Sequence, residues 1–251
     1  MSKVFAISSG IDIRLLNELI SFSNEDIPNI LIIPHSQINC EDKIYETMKG
    51  YFHNTKVFSS LRKKGFTKHF DTLTCYDLND SKKVSELLSW ADIYYVPPGD
   101  TLAMLDLWNE TGFSEKLIEM SDSDKVFAGT SAGANCWFSS FTTLTNEGIK
   151  SGVGINLVDA HMTPHGDELY VKEFHKSVIE NNDILGFCMV KDTALAVDGD
   201  SYRIIVPKRY DGFSEATTYP LVTGYNNGNY YCNEIDKTTE FYREGKILVK
   251  K

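Results

Sequence analysis

The chain has 251 residues, of which 42% are hydrophobic and 24% are charged, and these proportions are ordinary for a globular protein. Its formal net charge of −10, from 35 acidic and 25 basic residues, opposes binding to phosphate backbones and to anionic membrane surfaces. We therefore expect neither a nucleic-acid partner nor a membrane partner.

The first half of the chain alternates short apolar runs with amphipathic stretches. The predicted strands are residues 4–8, 30–33, 70–75, 93–96 and 126–128. The predicted helices are residues 14–22, 44–52 and 84–90, with a further helix beginning at 102–108. The segment Asn79-Asp80-Ser81 can cap the helix at 84–90, and Asp100 or Thr101 can cap the next one. Strands and helices that alternate in this order predict a largely parallel sheet with right-handed crossovers.

The compartment is predicted from apolar runs and cysteines. The run at residues 4–8 is too short for a signal-peptide core, and no apolar stretch approaches the roughly 20 residues that span a bilayer. The five cysteines are scattered, with no Cys-x-x-Cys pair, so neither a zinc site nor a redox dithiol is predicted. We expect a cytoplasmic protein with reduced thiols, no metal and no cofactor.

The pattern changes after Ser139. Gly148, Gly152 and Gly154 predict a loop, residues 167–179 a helix, and residues 186–190, 195–197 and 202–206 strands. The tail predicts short antiparallel strands at a sheet edge. We find no repeat and no linker, so residues 1–251 are expected to form a single α/β domain, with a largely parallel central sheet flanked by helices. The Gly-, Asn- and Tyr-rich stretch 219–231 could contact a second copy in a homodimer; a solvated edge is the plainer expectation.

The motif Gly129-Thr130-Ser131-Ala132-Gly133 follows the fifth predicted strand. A Gly-x-Ser-x-Gly turn between a strand and a helix lifts the serine hydroxyl above the sheet, and small flanking residues let the backbone turn without clashes. Residues 132–138 are the predicted helix, so the N–H of Ala132 would point at a developing oxyanion. The alternative is a Gly-rich turn that binds a phosphate or merely packs closely.

A serine nucleophile needs a base, and the base needs a carboxylate to orient it. His53, His69 and His175 lie in charged or helical contexts that favour the surface, whereas His35 ends the second strand. His161 and His165 lie between the motif and the next helix, and the residues alone do not choose between them. The carboxylates left open are Glu147, Asp159, Asp167 and Glu168.

A second loop of small residues, Pro97-Pro98-Gly99-Asp100-Thr101, follows the fourth strand. In a parallel sheet it lies at the same edge as Ser131, where the N–H of Gly99 could supply a second oxyanion donor. By itself, however, the loop is more typical of an ordinary turn that begins a helix.

Three segments resemble the peptidase E family, the aspartyl dipeptidases with a serine nucleophile. They are residues 129–135, which end in Asn135, residues 96–101, and the stretch from Asn156-Leu157 to Pro164-His165. The resemblance implies a fold akin to flavodoxin and the class I glutamine amidotransferases. It also implies Ser131 as nucleophile, His165 as base and Glu147 as acid, with Asp100 and Asn135 near the substrate.

Two departures from that family bear on the substrate. Pro97 and Pro98 replace glycines in the loop, and proline has no N–H to donate. No arginine follows His165, and Lys172 could replace it only as a point charge beside two acids. Strict aspartyl specificity is therefore not expected, and the predicted substrate is a dipeptide or another short peptide.

Two alternatives stand beside a serine exopeptidase. A cyanophycinase-like hydrolase shares the nucleophile turn, but no arginine-rich segment follows His165. A non-catalytic module that binds a peptide or metabolite on the same fold is the other alternative, because the prolines alter the oxyanion loop.

Overall fold

The structure is a computed structural model that describes residues 2–63, 68–181, 184–206, 219–226, 228–244 and 247–251. Its central element is a nine-stranded sheet in the order β15-β14-β11-β10-β1-β5-β4-β2-β3. The parallel half is made of β1 (Lys3–Ile7), β2 (Ile30–Ile32), β3 (Phe70–Thr72), β4 (Ile93–Val96) and β5 (Val126–Thr130). The predicted parallel α/β sheet is confirmed. β1, β2, β4 and β5 are short apolar runs that are buried on both faces, whereas β3, at the edge of the sheet, is partly exposed.

Helices cover both faces of this sheet. They are α1 (Ile13–Phe22), α2 (Glu41–His53), α3 (Lys56–Lys63), α4 (Ser81–Trp90), α5 (Thr101–Thr111) and α6 (Phe113–Glu119). Side chains of β1 alternate between two separate cores: Val4 and Ala6 pack in one, and Phe5 and Ile7 in the other. No helix in these described stretches is long and apolar enough to cross a bilayer.

Two helices have their caps within the segments that the sequence predicts, and in each the capping residue is an aspartate. The carboxylate of Asp80 accepts hydrogen bonds from the N–H groups of Lys82 and Lys83 at the start of α4. The carboxylate of Asp100 accepts one from the N–H of Ala103 at 3.0 Å in α5. Each cap satisfies N–H groups that have no partner inside the helix.

The C-terminal segments complete the nine-stranded sheet with antiparallel strands. They are β10 (Ala194–Asp198), β11 (Ser201–Ile205), β14 (Thr239–Glu244) and β15 (Ile247–Lys250). The predicted strands at residues 195–197 and 202–206 are thus confirmed. β10 pairs directly with β1, which places residues 191–193 beside the carboxyl end of the first strand.

A second sheet of six strands, in the order β13-β12-β9-β8-β6-β7, was not expected. It is made of β6 (Phe138–Thr145), β7 (Gly148–Val153), β8 (Val158–Thr163), β9 (Leu185–Cys188), β12 (Leu221–Asn226) and β13 (Asn229–Glu234). Helix α8 (Glu168–Glu180) packs on this sheet through Phe174, Ser177 and Val178.

Two expectations for residues 132–154 are wrong. The glycines at 148–154 do not make a loop; they lie in and beside β7, and Gly152 leaves room for the ring of Phe141, 2.6 Å from where a Cβ would stand. The predicted helix at 132–138 is the short α7 (Ala132–Asn135). It ends early because the carbonyls of Cys136 and Trp137 accept hydrogen bonds from the N–H groups of Ile155 and Leu157.

Candidate active site

Ser131 lies at the carboxyl edge of the parallel strands, between β5 and α7. Its backbone has φ of 54° and ψ of −107°, in the left-handed region that a residue with a Cβ rarely adopts. The N–H of Ser131 donates to the carbonyls of Ile7 and Ser8, at 3.1 and 3.0 Å, at the end of β1. These bonds hold the strained turn in place.

The small residues on each side of Ser131 are required by close backbone contacts. A Cβ on Gly129 would lie 2.4 Å from the carbonyl oxygen of Gly133. A Cβ on Gly133 would lie 2.0 Å from the carbonyl oxygen of Val96, so any larger residue there would push β4 and α7 apart. The Gly-x-Ser-x-Gly pattern is therefore a packing requirement of this turn.

His165 lies beside Ser131. Its Nε2 atom is 3.0 Å from the Ser131 hydroxyl oxygen, within hydrogen-bond range. Burial lowers the pKa of His165 below its ordinary value, and the negative charge of Asp167 opposes that shift. The neutral imidazole that a general base requires is favoured by this environment. The ring of Tyr170 packs edge-on against that of His165, with centroids 5.0 Å apart.

His161 has a structural position. Its Nδ1 is 2.8 Å from the hydroxyl oxygen of Ser140, and its Nε2 is 2.8 Å from that of Thr142. The ring is fully buried between β6 and β8, and burial lowers its pKa to about 4. The ring nitrogens of His161 thus both contact hydroxyls of β6, and it is His165, not His161, that lies beside Ser131.

His35 also lies in the interior. Its Nδ1 accepts a hydrogen bond of 2.9 Å from the indole N–H of Trp108, and its ring packs on Phe113. Burial lowers its pKa to about 4. His35 therefore links the segment after β2 to α5 and α6.

Glu147 is not brought to His165, contrary to the role that the family resemblance implies. Thr145-Asn146-Glu147 forms the tip of the β6–β7 hairpin, where the hydroxyl of Thr145 accepts from the Glu147 N–H. The Glu147 side chain is 77% exposed, and its carboxylate pairs with Lys150. The hairpin directs this carboxylate to solvent, and the carboxylate whose charge acts on His165 is that of Asp167.

The loop at residues 97–101 is held by the segment that follows β2. The Ser36 hydroxyl donates to the carbonyl of Pro97 at 2.9 Å, and the Ser36 carbonyl accepts from the N–H of Asp100 at 3.0 Å. The Gly99 N–H has no acceptor among the described residues, and Ala132 is the first residue of α7, whose N–H has no intrahelical partner. Both N–H groups are available as donors to an oxyanion.

Ser131 and His165 line a cavity of about 330 Å³. One wall comes from the loop that carries Gly99 and Asp100, and the floor includes Asn135. The amide nitrogen of Asn135 donates to the carbonyl of Thr142 at 3.2 Å, whereas its oxygen is buried with no donor in the described part of the chain.

The opposite wall was missed by sequence analysis. It consists of Thr142, Thr143, Leu144 and Tyr170. Three of these residues belong to β6, which was not predicted as a strand. Tyr170 follows His165 by five residues at the start of α8, and that spacing is the one signal that could have indicated its contact with the base.

Lys172 lies outside the cavity, contrary to its predicted role in substrate binding. Helix α8 turns Phe174 and Ser177 toward the second sheet, and Lys172 is on an exposed part of the helix surface. It is not among the residues that line the cavity. Because a helix has 3.6 residues per turn, Lys172 is rotated about 200° from Phe174 around the axis of α8, and its side chain therefore leaves the helix on the side away from the second sheet.

Comparison with known proteins gives one family. A family model described as "Peptidase family S51" matches residues 4–205. The uncharacterized peptidase YgaJ of Bacillus subtilis (strain 168) is 33% identical over 108 residues, a match that covers 41% of this chain and 47% of that relative. The chain thus spans about half the length of this curated relative.

Two solved structures share the fold. A peptidase from an acI-B1 Actinobacterium superposes with a TM-score of 0.62 at 17% identity, over 95% of this chain and 96% of its own. A putative peptidase E protein from Listeria monocytogenes EGD-e superposes with a TM-score of 0.56 at 19% identity, over 83% and 100% of the two chains. At these identities the likeness concerns the fold alone.

Proposed function

The chain belongs to peptidase family S51, as its resemblance to the peptidase E enzymes predicts, and we propose that it is a serine exopeptidase that hydrolyses dipeptides or other short peptides. The observation that carries this proposal is the 3.0 Å contact between the Ser131 hydroxyl and His165 Nε2 at the edge of the parallel sheet. A strained serine on a strand-to-helix turn, next to a partly buried neutral imidazole, is the arrangement of a nucleophile elbow.

The chemistry follows from this arrangement. Ser131 Oγ attacks the scissile carbonyl carbon while His165 Nε2 takes the hydroxyl proton, and a tetrahedral oxyanion forms. The N–H groups of Gly99 and Ala132 donate to that oxyanion. His165 then gives the proton to the leaving amine, and water releases the acyl group from Ser131 by the same sequence of steps.

The proline-altered loop supports this mechanism better than the sequence suggests. The carbonyl oxygens of Pro97 and Pro98 accept hydrogen bonds from the side chains of Ser36 and Gln37. The loop is therefore held by the segment after β2, and Gly99 lines the same cavity as Ser131. One donor from this loop and one from Ala132 are enough for a two-donor oxyanion hole.

A fluorophosphonate probe tests the nucleophile independently of the substrate. We expect one equivalent of probe to attach to the intact protein, with the added mass on the peptide that contains Ser131. Because the reaction requires an activated serine, acid-unfolded protein should remain unmodified. An intact protein that reacts at no serine would contradict the hydrolase proposal and favour a non-catalytic binding protein on the same fold.

The exposed position of Glu147 predicts that it is dispensable. We expect Glu147→Gln to change kcat/KM by less than about twofold, because surface ion pairs such as Glu147–Lys150 contribute little.

Asp167→Asn should move the acid limb of the pH profile to lower pH, because the negative charge of Asp167 raises the pKa of His165. Asparagine is as good as aspartate at the capping position before α8, where the Asp167 side chain makes no capping hydrogen bond, so folding is preserved.

The two variants distinguish an enzyme in which Asp167 acts on His165 from one in which Glu147 does. A loss of about 10⁴ in kcat for Glu147→Gln, the size seen when the triad acid is removed, would show that the hairpin tip closes onto His165 in the working enzyme. Unfolding midpoints in urea provide the control that both proteins fold like the parent.

A further inference from the structure

The imidazole of His165 has to be held toward Ser131 for the proposed peptidase function, on which this inference rests. Its Nε2 atom contacts the Ser131 hydroxyl, whereas Nδ1 has no hydrogen-bond partner among the described residues. The charge of Asp167 acts on the ring, but no hydrogen bond joins the two side chains. In a serine triad the third residue orients the imidazole through a hydrogen bond to Nδ1. A different contact must therefore orient the base in this site.

The side chain that packs on the base is the phenol ring of Tyr170. Its centroid lies 5.0 Å from that of the His165 ring, and the two ring planes meet at 60°. Edge-to-face contacts of this kind are favourable between aromatic rings whose centroids are roughly 4.5–7 Å apart. Tyr170 is half-buried and lines the same cavity as Ser131 and His165. The phenol ring therefore blocks rotation of the imidazole toward that side.

Tyr170 is itself held by two elements. Its backbone belongs to the first turn of α8, the helix that packs on the second sheet. Its hydroxyl lies beside Leu144 in β6: burial raises the pKa of the phenol, and a hydrogen bond from the Leu144 backbone opposes that shift. The ring thus spans from α8 to β6, which fixes its position against His165.

The main chain of His165 is fixed by a separate contact. The thiol of Cys188 in β9 donates to the carbonyl oxygen of His165, with sulfur and oxygen 3.7 Å apart. Strands β8 and β9 pair in parallel just before this point, with Thr163 opposite Cys188. The freedom that remains to His165 is rotation of its imidazole about the side-chain bonds, and this is the motion that the Tyr170 ring restricts.

We propose that Tyr170 is a positioning residue that keeps the His165 imidazole directed at Ser131 by ring packing, the task that a carboxylate performs in a serine triad. Tyr170 transfers no proton in this role, so its ring and not its hydroxyl is required. Acylation and deacylation both use His165, and loss of the ring should therefore lower kcat. A wall residue that only contacted the substrate would instead raise KM.

Tyr170→Leu and Tyr170→Phe in the full chain test this role. Leucine removes the aromatic ring and is a good helix former, whereas phenylalanine keeps the ring and loses the hydroxyl. We expect Tyr170→Leu to slow the labelling of Ser131 by a small fluorophosphonate about fivefold to tenfold, the size of one aromatic pair. That reaction needs the base but no peptide-binding wall. On a peptide substrate kcat should fall by the same factor with KM within about twofold, and Tyr170→Phe should match the parent within about twofold.

Tyr225→Leu is the matched control. Tyr225 in β12 packs on Tyr230 with centroids 5.6 Å apart and planes at 62°, and neither ring lines the cavity. The control removes an equivalent ring pair, so its urea unfolding midpoint should fall about as much as that of Tyr170→Leu, while labelling stays within about twofold of the parent. Tyr170→Met, which also lacks a ring but has a longer side chain, replaces Tyr170→Leu in the comparison if the leucine variant does not fold.

The outcomes separate this inference from the proposed function. Equal labelling rates for the parent and Tyr170→Leu would overturn the inference, and so would an equal loss in Tyr170→Phe or in Tyr225→Leu. A higher KM with unchanged kcat would make Tyr170 a substrate contact and not a positioning residue. In each of these cases labelling of Ser131 in the parent would leave the peptidase standing. A parent whose Ser131 is not labelled would contradict the peptidase and the inference together, because there would be no active base to orient.

Discussion

Ser131→Ala is expected to lower kcat for the release of free amino acids by about 10⁴ to 10⁶, the range found when the nucleophile of a serine hydrolase is removed. Alanine keeps the Cβ of serine, so the strained φ of 54° costs the same in both proteins and folding should be unaffected. The measurement uses a panel of dipeptides with neutral, basic and acidic amino-terminal residues, because substrate preference is open at the outset.

Ser139→Ala is the matched control for that variant. It deletes the same hydroxyl eight residues further along, where the Ser139 side chain donates to the carbonyl of Ala160 and lies outside the cavity. We expect its activity to stay within about twofold of the parent, since surface or single neutral hydrogen bonds contribute modestly. If Ser131→Ala retained parental turnover on a peptide that the parent hydrolyses, Ser131 would not be the nucleophile.

His165→Gln should lower kcat by about 10⁴, because the serine hydroxyl then has no general base.

The acid limb of kcat/KM in the parent enzyme should lie at lower pH than an ordinary histidine would give. The neutral imidazole is the active form, so activity is present above the pKa of His165 and is lost as the pH falls through it. Burial lowers that pKa from its ordinary 6.5, so kcat/KM should persist below pH 6.5.

His175→Gln is the control for the base. His175 lies on the next helix, α8, with its Nδ1 atom 2.6 Å from the Tyr230 hydroxyl, and it does not line the cavity. Activity and the acid limb should match the parent. An acid limb of kcat/KM above pH 6.5 would mean that the imidazole is stabilised in its charged form, and the burial argument for His165 would then be wrong.

Much of the fold was readable from local patterns. Most of the parallel strands are short apolar runs separated by amphipathic segments, and Asp80 and Asp100 lie in the polar segments that predict helix starts. Both signals operate over a few residues, so they need no knowledge of distant contacts. The six-stranded sheet escaped prediction because β6 and β7 contain polar and glycine residues whose pairing partners lie elsewhere in the chain.

The candidate site also has one part that local sequence predicts and another part that it does not. The turn at Ser131 was predictable, because a Gly-x-Ser-x-Gly motif after a strand is a local pattern. The choice between His161 and His165 depends on where β8 ends: His161 lies inside the strand between two hydroxyls, whereas His165 lies two residues beyond it. Both positions carry a histidine, so residue type alone left the choice open. The family resemblance favoured His165, and the structure places His165 beside Ser131.

The parallel sheet, the helix starts and the position of the serine turn follow from local sequence, because apolar period, capping side chains and a Gly-x-Ser-x-Gly motif after a strand are patterns of a few residues. The contacts that hold this turn, from Gly133 to Val96 and from Ser131 to Ile7 and Ser8, come from distant segments. The groups that surround Ser131, in contrast, are brought together by contacts between distant segments. The tertiary structure brought His165 to 3.0 Å across 34 residues, turned Glu147 and Lys172 outward, and closed the cavity with β6 and Tyr170. The physical reason is that the direction of a side chain depends on strand pairing and helix rotation, which are set by contacts between segments far apart in the chain.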